Sequence, residues 1–384
     1  MIYNQIMSAH SIPIVKLGNY IRRSTINNHN LEYGIELIEG VTNEGKFSAP
    51  KGAPVEVDLK PYKIVNNGAF VYNPSRLNLG SIAYRTDGLC IVSHLYIVFY
   101  LNDLGKEKID PEYLYIYFRR EEFYREVTFR NFGSQRPEFN FNDMSDLLIR
   151  LPDIAVQQKY VNIYKAMVAN QQNYERGLED LKLVCDGYIE DLRRKMPCER
   201  IGKYIELIET TNTDCRYGIE DVRGISIEKE FIETKADMAG VNLEPYLIVK
   251  PNEFAYVTVT SRNGEKISLA LNDSDSTYIC SSSYVAFRSK DKTSLLPQYL
   301  MLFFSRAEFN RFSRFHSLGS ARETFDWSEM CNVQIPIPDI KVQKAIAEIY
   351  AVYIMRKRIN EQLKAQIKDI CPILIKGSLE EAKQ

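Results

Sequence analysis

The chain repeats itself once, over nearly its whole length. Leu17-Gly18-Asn19-Tyr20-Ile21 returns as Ile201-Gly202-Lys203-Tyr204-Ile205, and Tyr33-Gly34-Ile35-Glu36 as Tyr217-Gly218-Ile219-Glu220. Pro61-Tyr62-Lys63-Ile64-Val65 returns as Pro245-Tyr246-Leu247-Ile248-Val249, and all three matches share an offset of 184. Further along, Pro111-Glu112-Tyr113-Leu114 meets Pro297-Gln298-Tyr299-Leu300, Gly133-Ser134-Gln135-Arg136 meets Gly319-Ser320-Ala321-Arg322, and Cys185 meets Cys371, all at 186. The change of offset implies one small insertion between the copies. Two long copies are too few for a solenoid, whose units run to about 20–50 residues. They suit one chain with approximate two-fold symmetry, built like a fused homodimer, and hence a two-fold-like target or two copies of one partner.

Each copy has the same two parts. The first is loop-rich with short β-prone runs, Cys90 to Phe99 and its counterpart Tyr278 to Phe287, punctuated by turn signals such as Asn66-Asn67-Gly68 and Asn73-Pro74. A helix is expected from Pro111 to Arg125, repeated from Pro297 to Arg311, so the fold class is mixed α/β (α+β). The second part is a long helix opened by Asp153 or Asp339 after a proline. Val156, Tyr160, Ile163, Met167, Asn170, Tyr174, Leu178, Leu181, Cys185, Tyr188 and Leu192 follow a heptad spacing with one extra residue. Val342, Ile346, Ile349, Tyr353, Arg356, Asn360, Leu363, Ile367, Ile370 and Leu374 repeat it without a break. Asn170 and Asn360 fall in that seam, where a polar residue fixes register at some cost in stability. A helix of roughly 40 residues is about 60 Å long. Two of them most simply pair as an antiparallel coiled-coil rod; the competing reading is that each only packs its own domain.

With these features on the page, the chain resembles a known family. Tyr72-Asn73-Pro74-Ser75-Arg76-Leu77-Asn78-Leu79-Gly80-Ser81-Ile82, followed by Val92-Ser93 and Tyr96-Ile97-Val98-Phe99, is similar to the target-recognition domains of type I restriction-modification specificity subunits. So are the closing segments, Leu151-Pro152-Asp153-Ile154 with Gln157-Gln158 and Ile337-Pro338-Asp339-Ile340 with Gln343. Copy two departs at Thr258 to Gly264, where no Asn-Pro-Ser-Arg occurs, which suggests a different half-site for each domain. The resemblance implies two recognition domains in a pseudo-two-fold arrangement, residues 1–152 and 197–338, separated by spacer helices, residues 153–196 and 339–384. It implies a non-catalytic reader of bipartite double-stranded DNA. Its partners would be two methyltransferase subunits, which alone carry S-adenosylmethionine and methylate adenine, and for cleavage a motor-nuclease subunit. A protein-interaction scaffold with little DNA binding of its own is the alternative.

The residue inventory agrees with a non-catalytic role. The four histidines, His10, His29, His94 and His316, show no metal-ligand spacing, and no cysteine pair reads C-x-x-C. Gly40 to Phe47 imitates a phosphate loop, but Phe47 stands where Ser or Thr must hold Mg²⁺. Asn73-Pro74-Ser75-Arg76 lacks the aromatic ring that a base-flipping adenine methyltransferase motif needs. Seven unpaired cysteines, no signal-like start and no long apolar run lead to the expectation of a reduced, soluble, cytoplasmic protein.

Lys+Arg 49 against Asp+Glu 50 gives a net charge of −1, so any nucleic-acid face must be local. Candidate DNA contacts are Arg76, Asn78 and Ser81 in copy one, with Arg262 and Lys266 in the matching stretch of copy two. Further candidates are Arg130, Ser134 and Arg136, and Arg314, Ser320 and Arg322. A Gly-Ser-x-Arg loop can approach phosphate or place an Arg fork on guanine; a helix-end turn with a locally paired Arg explains it equally well. Residues shared by both copies suit phosphate positioning, whereas base readers should differ. Phe123, Phe129, Phe132, Phe309, Phe312 and Phe315 are expected in the core. Ile163, Met167, Asn170, Leu178 and Leu181 are expected to face Ile349, Tyr353, Asn360, Leu363 and Ile367 across the helix pair.

Overall fold

The computed structural model describes residues 12–50, 52, 57–130, 138–260, 266–319 and 322–383. These form two compact units. One holds the chain up to Asn173 together with the chain from Asn360 onward; the other is Tyr174–Ile359.

The first unit begins with strands β1 (Ile14–Lys16), β2 (Ile21–Ser24), β3 (Gly40–Val41), β4 (Phe47–Ser48), β5 (Lys63–Val65), β6 (Ala69–Tyr72), β7 (Ile82–Tyr84), β8 (Cys90–Val92) and β9 (Ile97–Leu101). Helices α1 (Asp103–Lys108), α2 (Pro111–Phe118), α3 (Glu121–Arg130) and α4 (Phe141–Ser145) follow, then β10 (Leu148–Arg150) and the long α5 (Ile154–Lys195). A four-stranded antiparallel sheet runs β2-β9-β6-β7, and β1-β10, β3-β4 and β5-β8 form pairs. Alternation along β6, β7 and β9 divides their side chains between two buried faces. Phe70, Tyr72, Ile82 and Phe99 face the helices, while Ala69, Val71, Ala83 and Val98 meet Val41, Val65 and Cys90 on the other side. The large rings therefore gather on the helical side, where Phe70 stacks on Phe99 at 5.0 Å.

The second unit rebuilds this plan. Its strands are β11 (Cys198–Arg200), β12 (Ile205–Ile208), β13 (Arg223–Ile225), β14 (Phe231–Glu233), β15 (Leu247–Val249), β16 (Phe254–Val257), β17 (Leu269–Leu271), β18 (Tyr278–Cys280), β19 (Tyr284–Ser289) and β20 (Gln334–Pro336). Its helices are α6 (Pro297–Phe304), α7 (Ala307–Phe315), α8 (Trp327–Asn332) and α9 (Ile340–Glu381). The sheet order β12-β19-β16-β17 is the first unit's order again, and Phe254 stacks on Phe287 at 4.8 Å as Phe70 does on Phe99. The repeated Gly18 and Gly202 are explained by close approach: a Cβ there would lie 2.9 Å from Cβ of Ser145 and 2.7 Å from Cβ of Cys331.

Three expectations need correction. The loops differ in length at more than one point: Val71 and Ala255 are 184 apart, but their cross-strand partners Ala83 and Ala270 are 187 apart. The helix expected from Pro111 to Arg125 is two helices, because the backbone turns at Arg119 and Arg120, and the segment from Pro297 breaks in the same place. The run Cys90 to Phe99 is likewise two strands, divided by a turn in which Tyr96 N donates to Ser93 O.

A buried glutamine fixes each domain-to-helix passage. Gln157 Oε1 accepts from Asp110 N at 2.9 Å, while its Nε2 donates to Lys108 O and Pro152 O. Gln343 does the same with Leu296 N, Ser294 O and Pro338 O. This clamp sets the rotation of α5, and the seam follows from it. In the first unit Val161, Tyr164 and Gln171 turn inward, one residue later than the heptad spacing predicts. Ile163 is 42% exposed, Asn170 is exposed and Met167 is half-buried. The polar partner of buried Asn360 is therefore Gln171, whose Nε2 donates to Asn360 Oδ1 at 3.0 Å. With Lys159 pairing Glu381 at 2.8 Å, the two helical stretches of this unit run antiparallel. Leu363 and Ile367 are half-buried there. In the second unit Leu178 is buried, Leu181 is half-buried, and Cys185 and Ile189 share a cluster with Ile346 and Tyr350, edged by Ile349 and Tyr353.

Candidate nucleic-acid interface

In the first unit the Asn-Pro-Ser-Arg motif builds a turn rather than a catalytic loop. Asn73 Oδ1 accepts from Ser75 N at 3.0 Å, Arg76 N donates to Asn73 O, and Leu77–Leu79 closes as a single 3-10 turn. Gly80 ends it at φ 93°, where a Cβ would meet Asn43 O at 2.5 Å, so only glycine fits. Arg76 and Asn78 are exposed on this turn, which packs against α3. Ser81, in contrast, is buried, and its hydroxyl donates to Val41 O at 3.0 Å; it is a fastener and not a contact residue. Arg130, at the end of α3, is paired with Glu126 at 2.7 Å. Ser134 and Arg136 lie outside the described residues.

The second unit presents a different surface at the matching place. Arg262 and Ser320 lie outside the described residues. Lys266 is paired with Glu228 at 2.7 Å, and Arg314 is paired with Glu323. Arg322 is exposed. The end of α7 is tied to the end of β16: Thr260 Oγ1 donates to Ser317 Oγ at 2.8 Å, and Phe325 N donates to Thr258 O at 2.8 Å. Arg76 and Arg322 form no ion pair among the described residues, and so keep their charge available. The paired cations offer less, because an anion must first displace a carboxylate.

Both units set a cation against the carbonyl that precedes the sheet's edge strand, by different routes. Arg119 Nη1 donates to Gly80 O at 2.7 Å and to Asn43 O at 3.2 Å. In the second unit the position of Gly45 (φ 75°) is taken by Lys229 (φ 64°), whose Nζ lies 3.5 Å from Ile267 O and 5.3 Å from the Phe309 ring centre. Burial pushes this lysine down from 10.5 to about 7, with Lys266 adding to the shift and Glu228 opposing it.

Some exposed groups escaped the sequence reading. Phe129 and Phe315, expected in the core, are each 82% exposed. Their spacing from Phe123 and Phe309, 6 residues in both copies, turns them about 120° around the helix from the buried rings and was the available signal. Arg22 and Arg23 stand exposed on edge strand β2, where β12 carries Glu206 and Leu207. Among the described residues no three His, Cys, Asp or Glu side chains gather to hold a metal ion, and no helix is long and apolar enough to cross a membrane.

No curated protein matches this chain. Among solved structures, it is similar to the type I restriction-modification S subunit from M. genitalium, at 10% identity and a TM-score of 0.55, over 96% of this chain and 95% of that one. It also aligns with the HsdS subunit from Thermoanaerobacter tengcongensis at 16% identity, with 96% of both chains covered and a TM-score of 0.39. A chain from a study of complex assembly in the type I R-M system aligns at 17% identity, with 97% of both chains covered and a TM-score of 0.45. The M. genitalium match shows a shared fold. The family model for the type I restriction modification DNA specificity domain matches residues 14–181 and again 227–369, which is most of the chain, and the chain belongs to that family.

Proposed function

We propose that this chain is the DNA-reading subunit of a type I restriction-modification complex, with each unit recognising one half of a bipartite duplex target. The observation that carries the reading is the doubling: one sheet order, one glutamine clamp and one helical passage, made twice in a single chain. What differs between the copies is the segment beside α3 or α7: an exposed turn carrying Arg76 and Asn78 in one unit, and a Thr258–Thr260 segment that runs from half-buried to buried in the other. Divergence at matching places is what two unlike half-sites require, since side chains that read base edges must change with the bases.

In this reading phosphate contacts supply affinity and the exposed Arg and Asn groups face the major groove. The chain itself performs no chemistry. Two adenine methyltransferase subunits dock on it and hold S-adenosylmethionine, and a motor-nuclease subunit joins for cleavage. The long helices set the distance between the half-sites. Mapping methylated adenines in cells that express the chain with its methyltransferase subunit tests this directly. A single split motif with a fixed gap is the expected result. Retention of random and mapped duplexes with equal affinity in a gel-shift assay favours the protein scaffold instead.

A further inference from the structure

Phe129 and Phe315 are the most exposed large apolar side chains among the described residues, and they are 186 residues apart, as are Pro111 and Pro297 at the starts of α2 and α6. Each closes a stripe on one helix face. In α3 the stripe is Glu122, Arg125 and Phe129; in α7 it is Glu308, Arg311 and Phe315. The spacing i, i+3, i+7 places the three residues in one row. Arg125 pairs with Glu122 at 3.5 Å, and Arg311 with Glu308 at 3.0 Å. The inner face of each helix is already filled, by Phe123 and Val127 in α3 and by Phe309 and Ser313 in α7. The outer phenyl ring is therefore no part of the core of its own unit, with Phe315 touching only the His316 ring at 5.2 Å among the described aromatic contacts, and it is the repetition of the exposed ring in both copies that points to a contact.

The repetition restricts what the contact is. The turns proposed to read bases differ between the units, but this stripe is the same Glu, Arg and Phe in both, so its occupant is the same on both. The bases of two half-sites are not. Phosphate is the same, but each stripe carries a carboxylate beside its guanidinium, and that carboxylate repels phosphate. A protein surface accommodates all three groups: an apolar pocket for the ring, a cation for the glutamate and an acceptor for the arginine. Aromatic and Arg side chains are also the commonest anchors of such interfaces.

We propose that the two Glu–Arg–Phe stripes are docking anchors for two copies of one partner protein, one copy on each unit. Under the functional reading above, on which this inference rests, that partner is the methyltransferase subunit. The experiment uses the full chain and the purified methyltransferase subunit, read by native mass spectrometry and titration calorimetry. The wild-type chain is expected to take up two copies. Phe129→Ala and Phe315→Ala are each expected to lower affinity for one of the two by at least about tenfold, and the double variant for both. Arg125→Glu and Arg311→Glu, which leave the ring in place, are expected to weaken the same copies. Unchanged thermal unfolding shows that the variants remain folded. Two copies bound with undiminished affinity by the double variant overturn the inference while the functional reading stands. Undiminished uptake with lost gel retardation assigns the stripe to DNA and overturns it too. A wild-type chain that takes up no methyltransferase subunit overturns both.

Discussion

Lys229 buries its amine where, among the described residues, the nearest groups are one distant carbonyl and the face of Phe309. Its folded-state value lies below that of an unfolded lysine, so the folded chain binds fewer protons between about pH 7 and 10.5. Stability from this site is thus greatest above pH 10.5, falls as pH drops toward 7, and is fully lost below that. Lys229→Met keeps the side-chain length and the backbone strain but removes the charge. It is expected to raise stability at pH 6 by on the order of 2 kcal/mol, with the gain vanishing toward pH 10, as measured by urea unfolding. Arg76 makes the opposite kind of case, since it forms no ion pair among the described residues. Arg76→Ala is expected to leave unfolding unchanged and to weaken binding of the mapped target by about 1–3 kcal/mol, relaxing one base position. Equal weakening on all sequences would make it a phosphate contact. The sequence singles out Arg76 and Ser81 as one motif, but burial separates them. Chemistry alone does not tell an exposed guanidinium from a hydroxyl spent on Val41 O. Asn28 and Asn212 show the same limit: their side chains bracket Tyr33 and Tyr217 through backbone bonds of 2.8–3.2 Å, invisible until the loop is folded.

Among the elements, the two glutamine clamps govern most. Each spends its whole amide on backbone groups of two separate segments, so Gln157→Leu leaves Asp110 N without its partner in a closed site. About 2 kcal/mol of stability is expected to go, with Gln343→Leu costing a similar amount in the other unit. Urea unfolding of the two variants checks this, and Gln157→Glu, which cannot donate to both carbonyls, should not rescue. The first clamp also explains why the helices were legible in length but, in the first unit, not in facing. Apolar periodicity gave both rods, but a strip led by Val156 and Tyr160 competes with one led by Gln157 and Val161. Hydrophobicity selects the former, whereas backbone hydrogen bonding selects the latter. The unbroken helix read at Pro111 failed for a related reason. Its apolar residues continue past Arg119, where the folded chain turns and Arg119 donates to Gly80 O and Asn43 O; the second unit turns at the matching Ser305, whose hydroxyl donates to Met301 O and Leu302 O.

At the scale of the whole molecule, the repeat announced in the sequence is matched by one sheet order used twice. The spacer reading makes a metric prediction. Removing one heptad from each long helix shortens each by about 10 Å, so the gap in the recognised sequence is expected to shrink by about three base pairs. Methylation mapping of the deletion chain reads the gap; an unchanged gap removes the helices from the measuring role. The first unit has a further consequence for how the chain is made. Its core includes Val161 from α5 and Cys371, Leu374 and Ile375 from α9, while the residues between them complete the other unit. A ribosome that has synthesised as far as Ile359 has made everything the second unit needs, but not what the first one needs. A stop codon placed between Asn360 and Cys371 is therefore expected to damage the first unit and spare the second, because a segment made later finishes the unit begun earlier.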